Sequence, residues 1–195
     1  MQLITRISGE DLAEEAMIGN YIGLPYDKID CQALVEQILI DAGIRKPDGT
    51  KYNWRGSNSM FRNFVRWRGT IAECKQKFGK IPQGAFVFIV KNDGKEKEHG
   101  YLDGLGNATH VGLFLGGTAV IDSQPTGGVQ LRHIKQFTHV CLMSMIDYNT
   151  STEPTQPAQD PRQQALDAVH VLRDAAASDA DFLTALESLS SYFNR

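Results

Sequence analysis

The stretch LPYDKIDCQALVEQILIDA, residues 24–42, reads as a tight turn running into an amphipathic helix. Leu34, Val35, Ile38, Leu39 and Ala42 recur at the spacing of one helical face, which predicts a buried stripe. Asp30 is a favourable N-cap, and Gly43 is a favourable stop. Cys31 falls in the first turn, three and four residues before Leu34 and Val35. It therefore lies on the inward face, at the end where backbone amides lack helical partners. There the helix macrodipole favours a thiolate, drawing a thiol from about 8.5 towards 7 or below, and the same amides can receive a developing oxyanion. Cys31 is thus a candidate nucleophile. The plain alternative is a small buried hydrophobe on a core helix, as most free cysteines are. A histidine base elsewhere in the chain is what separates the two.

With 195 residues, the chain accommodates one ordinary domain and a small appendage. A hydrophobic content of 42% and a charged content of 22% are those of a globular protein. The net charge of −3 provides no field for nucleic acid. No run of about 20 apolar residues could span a membrane, and Met1 to Glu10 carry no secretory signal. Cys31, Cys74 and Cys141 lie far apart, which argues against a disulfide framework. His99, His110, His133 and His139 lack metal-ligand spacing with any cysteine, so neither a metal nor a cofactor is expected.

Upstream, Ser8 to Asp11 predict a capped first helix with Leu12, Ala16 and Met17 inward. Pro25 then fixes a turn ahead of Tyr26, which lies five residues before the cysteine. Its ring could pack, or its hydroxyl could line the same cleft. Downstream of the cysteine helix, Arg45 to Ser57 read as a polar loop carrying Trp54. Ser59 to Trp67 read as a helix, with Arg62, Arg66 and Arg68 on a solvated face. Thr70 to Glu73 form a capping box for a short helix holding a structural Cys74. The period changes at Ile81. Ala85 to Val90 predict a buried strand, and Lys91 to Asn107 a long hairpin loop or lid in which His99 is exposed.

His110 opens the strand HVGLFLGG, whose glycines turn the chain into a partner strand from Thr118 to Ser123. Antiparallel pairing about that turn puts position 110 close to opposite 122 or 123, within reach of the Asp122 carboxylate. This is the carboxylate–imidazole half of a catalytic triad, read from spacing. Val129 to Leu131 and Val140 to Met145 are further short strands, with His133 and His139 at edges.

From Asn149 the composition shifts to Thr, Pro and Gln. Residues 1–148 are expected to form the main domain, 149–160 a linker, and 161–195 a helical hairpin tail. Seven acids and three arginines leave residues 149–195 at −4 and the remainder at +1. Such a hairpin is too small to bury its own core and is expected to dock on the main body, on a second copy or on a partner.

Taken in order, Tyr26, DCQALV (30–35), GAFVF (84–88) and HVGLFLG (110–116) resemble the motifs of the NlpC-type cell-wall cysteine peptidases. The resemblance spans about residues 10–147. It implies an α+β, papain-like core in which the nucleophile helix packs on an antiparallel sheet. It also implies Cys31 as nucleophile, His110 as general base and then acid, and Asp122 or a neighbour as the orienting third residue. Tyr26 and Asp30 would lie on the oxyanion and substrate side. The implied reaction is hydrolysis of an amide bond in peptidoglycan stem peptides, of the D-glutamyl–diamino acid type, without a cofactor. Family members lacking a signal peptide are found in phage and prophage tail modules, which implies delivery by a particle and tail proteins as partners. This chain has Gln32-Ala33 where the family usually has Ser-Gly, and Ala85 where it usually has Asp. Its segments 45–80 and 91–109 are longer than in minimal members. The competing expectations are a non-catalytic wall-binding or tail module, and an amidase or acyltransferase acting on another amide or ester.

Overall fold

The computed structural model describes residues 4–149. The predicted linker beyond Asn149 and the helical hairpin at 161–195 lie outside the described residues. In chain order the elements are β1 (Ile7–Ser8), α1 (Gly9–Ile18), α2 (Cys31–Asp41), α3 (Gly56–Arg62), β2 (Val65–Thr70), α4 (Ile71–Phe78) and β3 (Phe86–Lys91). They continue with β4 (Asn107–Gly116), β5 (Ala119–Gln124), β6 (Gly128–His133), β7 (His139–Met143) and β8 (Ile146–Asp147).

Six strands form one antiparallel sheet in the order β2-β7-β3-β4-β5-β6, while β1 and β8 pair separately in parallel. The fold is α+β, with α1, α2 and α3 packed on the middle of the sheet. The expected stripe of α2 is the core contact: Leu34, Val35, Ile38 and Leu39 are buried with Cys31, and Ala42 is half-buried, in the same core as Phe86, Val111, Leu113 and Ile121 of the sheet. Apolar burial of this kind, roughly 25 cal/mol per Å², is what fixes the helix over β4 and β5.

Local signals worked where capping chemistry is strong. Ser8 caps α1 by accepting from the Asp11 amide, and Asp30 caps α2 by accepting from the Ala33 amide at 2.8 Å. Thr70 and Glu73 close a full capping box on α4, and Gly79 ends that helix at φ +73°.

Three expectations are corrected. Ser59 to Trp67 is not one helix. It is the end of α3 followed by β2, because Phe64 takes a left-handed φ of +60° and the β-prone residues after it pair with β7. Arg62 is not solvated but is 1% exposed. It makes a two-pronged bond to Asp103 at 2.7 and 2.9 Å, donates to the Gly106 carbonyl, and lies 4.3 Å from the Tyr101 ring centroid. Met17 faces outward, 52% exposed, at the end of α1.

The Arg62 contacts also define the long 91–107 segment. Asp103, Gly106 and Asn107 are fastened to α3 through Arg62 and through Asn58, whose amide donates to Asn107 at 2.8 Å. The two longer insertions therefore fold against each other.

Candidate active site

Cys31 sits at the first position of α2, 8% exposed. Asp30 uses its carboxylate on the Ala33 amide, so the amides of Cys31 and Gln32 point out of the helix end beside the sulfur. Two tethers hold this helix end to the sheet. Ser123 on β5 donates its hydroxyl to the Ile29 carbonyl at 2.6 Å, and Val129 on β6 exchanges backbone bonds with Gly23 and Leu24 at 2.8 Å each. Gly128 permits the second tether: a Cβ there would stand 2.1 Å from the Leu24 carbonyl oxygen.

His110, 7% exposed, projects from β4 under the same helix end. Its Nε2 lies 2.6 Å from Asp122 Oδ2 on β5, and the Cys31 thiol lies close enough to the ring to act on its proton affinity. With Nε2 committed to Asp122, Nδ1 is the nitrogen left for the sulfur. Burial alone would pull the imidazole down from its ordinary 6.5. Hydrogen bonds from Asp122 and Cys31, with their charges, overcome that and raise it to about 9. The Tyr26 hydroxyl lies close enough to Cys31 to be acted on by it. Burial first, then the charges of Cys31 and Asp30 and the bond to the thiol, raise that phenol above its ordinary value.

The structure brings together Cys31, His110, Asp122 and Tyr26, with Asp30 as the helix cap. The expected pairing of β4 with β5 needs a correction. Gly112, not His110, stands opposite Asp122, and the register shifts between Phe114 and Gly116. Continuing that register brings His110 level with Gln124, so Asp122 reaches the ring diagonally. It does so across Gly112, where there is no side chain to block it.

Four further residues complete the site. Gln124 Nε2 donates to Asp122 Oδ2 at 2.9 Å and lies 2.7 Å from His110 Nε2. Because His110 Nε2 carries the proton shared with Asp122, the carboxylate is the acceptor of both. Arg132 on β6 donates to the same Oδ2 at 3.0 Å. Phe137 stacks on the imidazole, with centroids 6.0 Å apart and planes at 28°. Gly112 supplies the clearance. No sequence motif marks Gln124, Arg132 or Phe137. The available signal is alternation in the strands around Asp122, which is usable only once the register is known.

A cleft of about 430 Å³ opens next to Tyr26, lined by Gly23, Pro25, Asp27, Pro125 and Gly127 among others. A larger hollow, about 1040 Å³, lies at the hairpin-turn end of β4 and β5 beside Lys75, Lys80 and Lys135, and none of Cys31, His110 or Asp122 lines it. Cys74 and Cys141 are completely buried, and burial pushes both thiols up to about 12. Among the described residues, no group of three or more His, Cys, Asp or Glu is placed to hold a metal ion. Nor is any described helix long and apolar enough to cross a membrane.

A cysteine at a helix N-terminus, a histidine on the sheet and a carboxylate on the next strand define a thiol–imidazole–carboxylate site on an α+β scaffold. No family model matches the sequence, and no curated protein matches it. Solved structures do match. The chain is similar to the NlpC/p60 domain of the peptidoglycan hydrolase SagA, at 17% identity, covering 70% of this chain and 100% of that one with a TM-score of 0.43. It is also similar to an NlpC/p60 family protein from Bacillus cereus, at 19% identity and a TM-score of 0.48, covering 72% of this chain and 41% of that one.

Proposed function

We propose that the protein is a cysteine peptidase that hydrolyses an amide bond in bacterial cell-wall peptidoglycan stem peptides, of the D-glutamyl–diamino acid type. The observation that carries the chemistry is the buried His110–Asp122 pair at 2.6 Å beside Cys31, itself buried at the first position of α2. The substrate class is supported by the ordered resemblance of residues 26–116 to NlpC-type motifs.

In this reading His110 takes the Cys31 proton, and the imidazolium–thiolate pair is favoured by Asp122 on the far side of the ring. The thiolate attacks the scissile carbonyl carbon. The oxyanion is received by the Cys31 amide and the Tyr26 hydroxyl. His110 then protonates the leaving amine as the C–N bond breaks, leaving a thioester on Cys31. Water, deprotonated by His110, hydrolyses that thioester and restores the thiol.

The test is turnover of purified peptidoglycan or a stem peptide by wild type and Cys31→Ala, with released fragments identified by mass spectrometry. Loss of about 10³-fold or more in the variant supports the reading. Turnover that survives the substitution, or binding without turnover by the wild type, overturns it.

A further inference from the structure

We propose that Arg132 is a positioning residue: the fixed counter-ion of the buried Asp122 carboxylate, present in both protonation states of His110 and so allowing that histidine to give its proton away. The inference rests on reading Cys31 and His110 as the reacting pair.

Asp122 is 0% exposed, and three donors converge on its Oδ2: His110 at 2.6 Å, Gln124 at 2.9 Å and Arg132 at 3.0 Å. Its Oδ1 is buried without a hydrogen-bond partner among the described residues. All stabilisation of this buried anion therefore passes through one oxygen. Gln124 brings no charge, and His110 is a cation only while protonated. Leaving-group protonation strips His110 of that charge. At that moment Asp122 would be an uncompensated buried anion, which proteins tolerate poorly, unless another cation holds it. Arg132 is that cation, and its charge does not depend on the state of the imidazole.

Its placement is built into the sheet. Arg132 pairs with Val120, so it shares a face with Val120 and Asp122. Its guanidinium lies 6.0 Å from the Phe137 ring, whose other neighbour is the His110 imidazole. Phe137 thus fills the space between the two cations, while Asp122 bridges them at the edge. The groups facing His110 are Cys31 from α2, Asp122 and Gln124 from β5, and Phe137 from the segment before β7. Arg132 is the cation that the neighbouring strand adds. Removing it leaves the Asp122–His110 pair holding its proton more tightly, which makes the imidazolium a weaker acid towards the leaving amine.

The experiment uses full-length protein with labelled histidine, following the His110 ring by NMR against pH and assigning it by its absence in His110→Ala. The Arg132→Met variant is expected to titrate about one pH unit above wild type. Arg132→Gln, which keeps a donor without the charge, moves the same way and serves where Arg132→Met does not fold. Arg132→Lys titrates close to wild type. In peptidoglycan hydrolysis, Arg132→Met lowers kcat about tenfold with KM unchanged, and Arg132→Lys recovers it. An unmoved or lowered His110 titration in the two neutral variants overturns the inference, even if the wild type cleaves peptidoglycan. A raised titration in a wild type that does not cleave leaves the counter-ion role standing and removes only the proposed substrate.

Discussion

Replacing Gly112 by Ala adds one methyl group at the point where β4 and β5 must stay close. A Cβ at this position would stand 2.6 Å from Val120 Cγ1, 3.0 Å from the Ile121 carbonyl oxygen and 3.1 Å from Asp122 Cβ. Ordinary contact begins near 3.4 Å, so relief of the worst contact requires roughly 0.8 Å of movement. Val120 is completely buried, and the Ile121 oxygen belongs to the strand pairing, so the movement falls on the β4–β5 spacing itself. The His110–Asp122 bond of 2.6 Å spans that spacing diagonally. Widening by the full distance carries it to about 3.4 Å, past the usual limit of about 3.2 Å for such a bond. Overpacking of this kind costs about 1–3 kcal/mol of stability, and misplacement of a reacting group by about 1 Å costs about 10²-fold in rate. The Gly112→Ala variant is therefore expected to fold with a lowered Tm and to lose about 10²-fold in kcat on a stem peptide. Thermal denaturation and steady-state kinetics measure the two effects together. Wild-type kcat with a lowered Tm would refute the reasoning, because the strand spacing would then not govern the His110–Asp122 geometry.

The Asp122→Asn variant is expected to lose about 10³–10⁴-fold in kcat, as when a triad carboxylate is made neutral. Its pH–rate profile should fall off at lower pH than wild type, since Asp122 raises the His110 proton affinity. In the wild type, His110 is raised from 6.5 to about 9, so its contribution to stability is fully present below pH 6.5 and is lost as pH rises through about 9. Activity should decline over the same upper range, which a pH series of kcat/KM and of chemical denaturation would record. The Arg62→Met variant removes the two-pronged bond to Asp103 in a site where both side chains are 4% exposed or less, and should cost about 3–5 kcal/mol in urea unfolding. Adding Asp103→Leu should recover part of that loss, and failure to recover any would assign the cost to packing instead. Iodoacetamide at pH 6 should label Cys31 well before Cys74 or Cys141, whose thiols are buried and held near 12. Peptide mapping reads the order directly.

The parts of the fold legible in the sequence were those in which one strong local signal stands alone. The α2 stripe ends in a glycine and begins at a capping aspartate, and nothing non-local competes with it. The capping box at Thr70 and the glycine-rich turn after Leu115 are equally local. The segment from Ser59 to Trp67 misleads because its apolar residues suit a helix, whereas the turn at Phe64 and the pairing of Val65 with Met143 are set by strands some eighty residues away. Arg62 looks solvated for the same reason, since its partner Asp103 lies in a loop 41 residues downstream.

The candidate site divides along the same line. Cys31 and Asp30 follow from the helix, and His110 with Asp122 follows from one hairpin. The offset of that hairpin, which puts Gly112 opposite Asp122, depends on a bulge that spacing cannot count. Gln124, Arg132 and Phe137 follow from that offset, from the next strand, and from a loop packed across the ring, so they become visible only in three dimensions.

In the proposed reaction the sulfur of residue 31 becomes covalently bonded to the acyl part of a peptide. Mixing the full-length protein with a stem peptide, quenching in acid within the first turnovers and mapping the digest by mass spectrometry tests it directly. A thioester mass is expected on the fragment containing Cys31, absent from that fragment in Cys31→Ala and much reduced in His110→Ala. Peptide cleavage that proceeds without any adduct on that fragment, and at the same rate in Cys31→Ala, would contradict it.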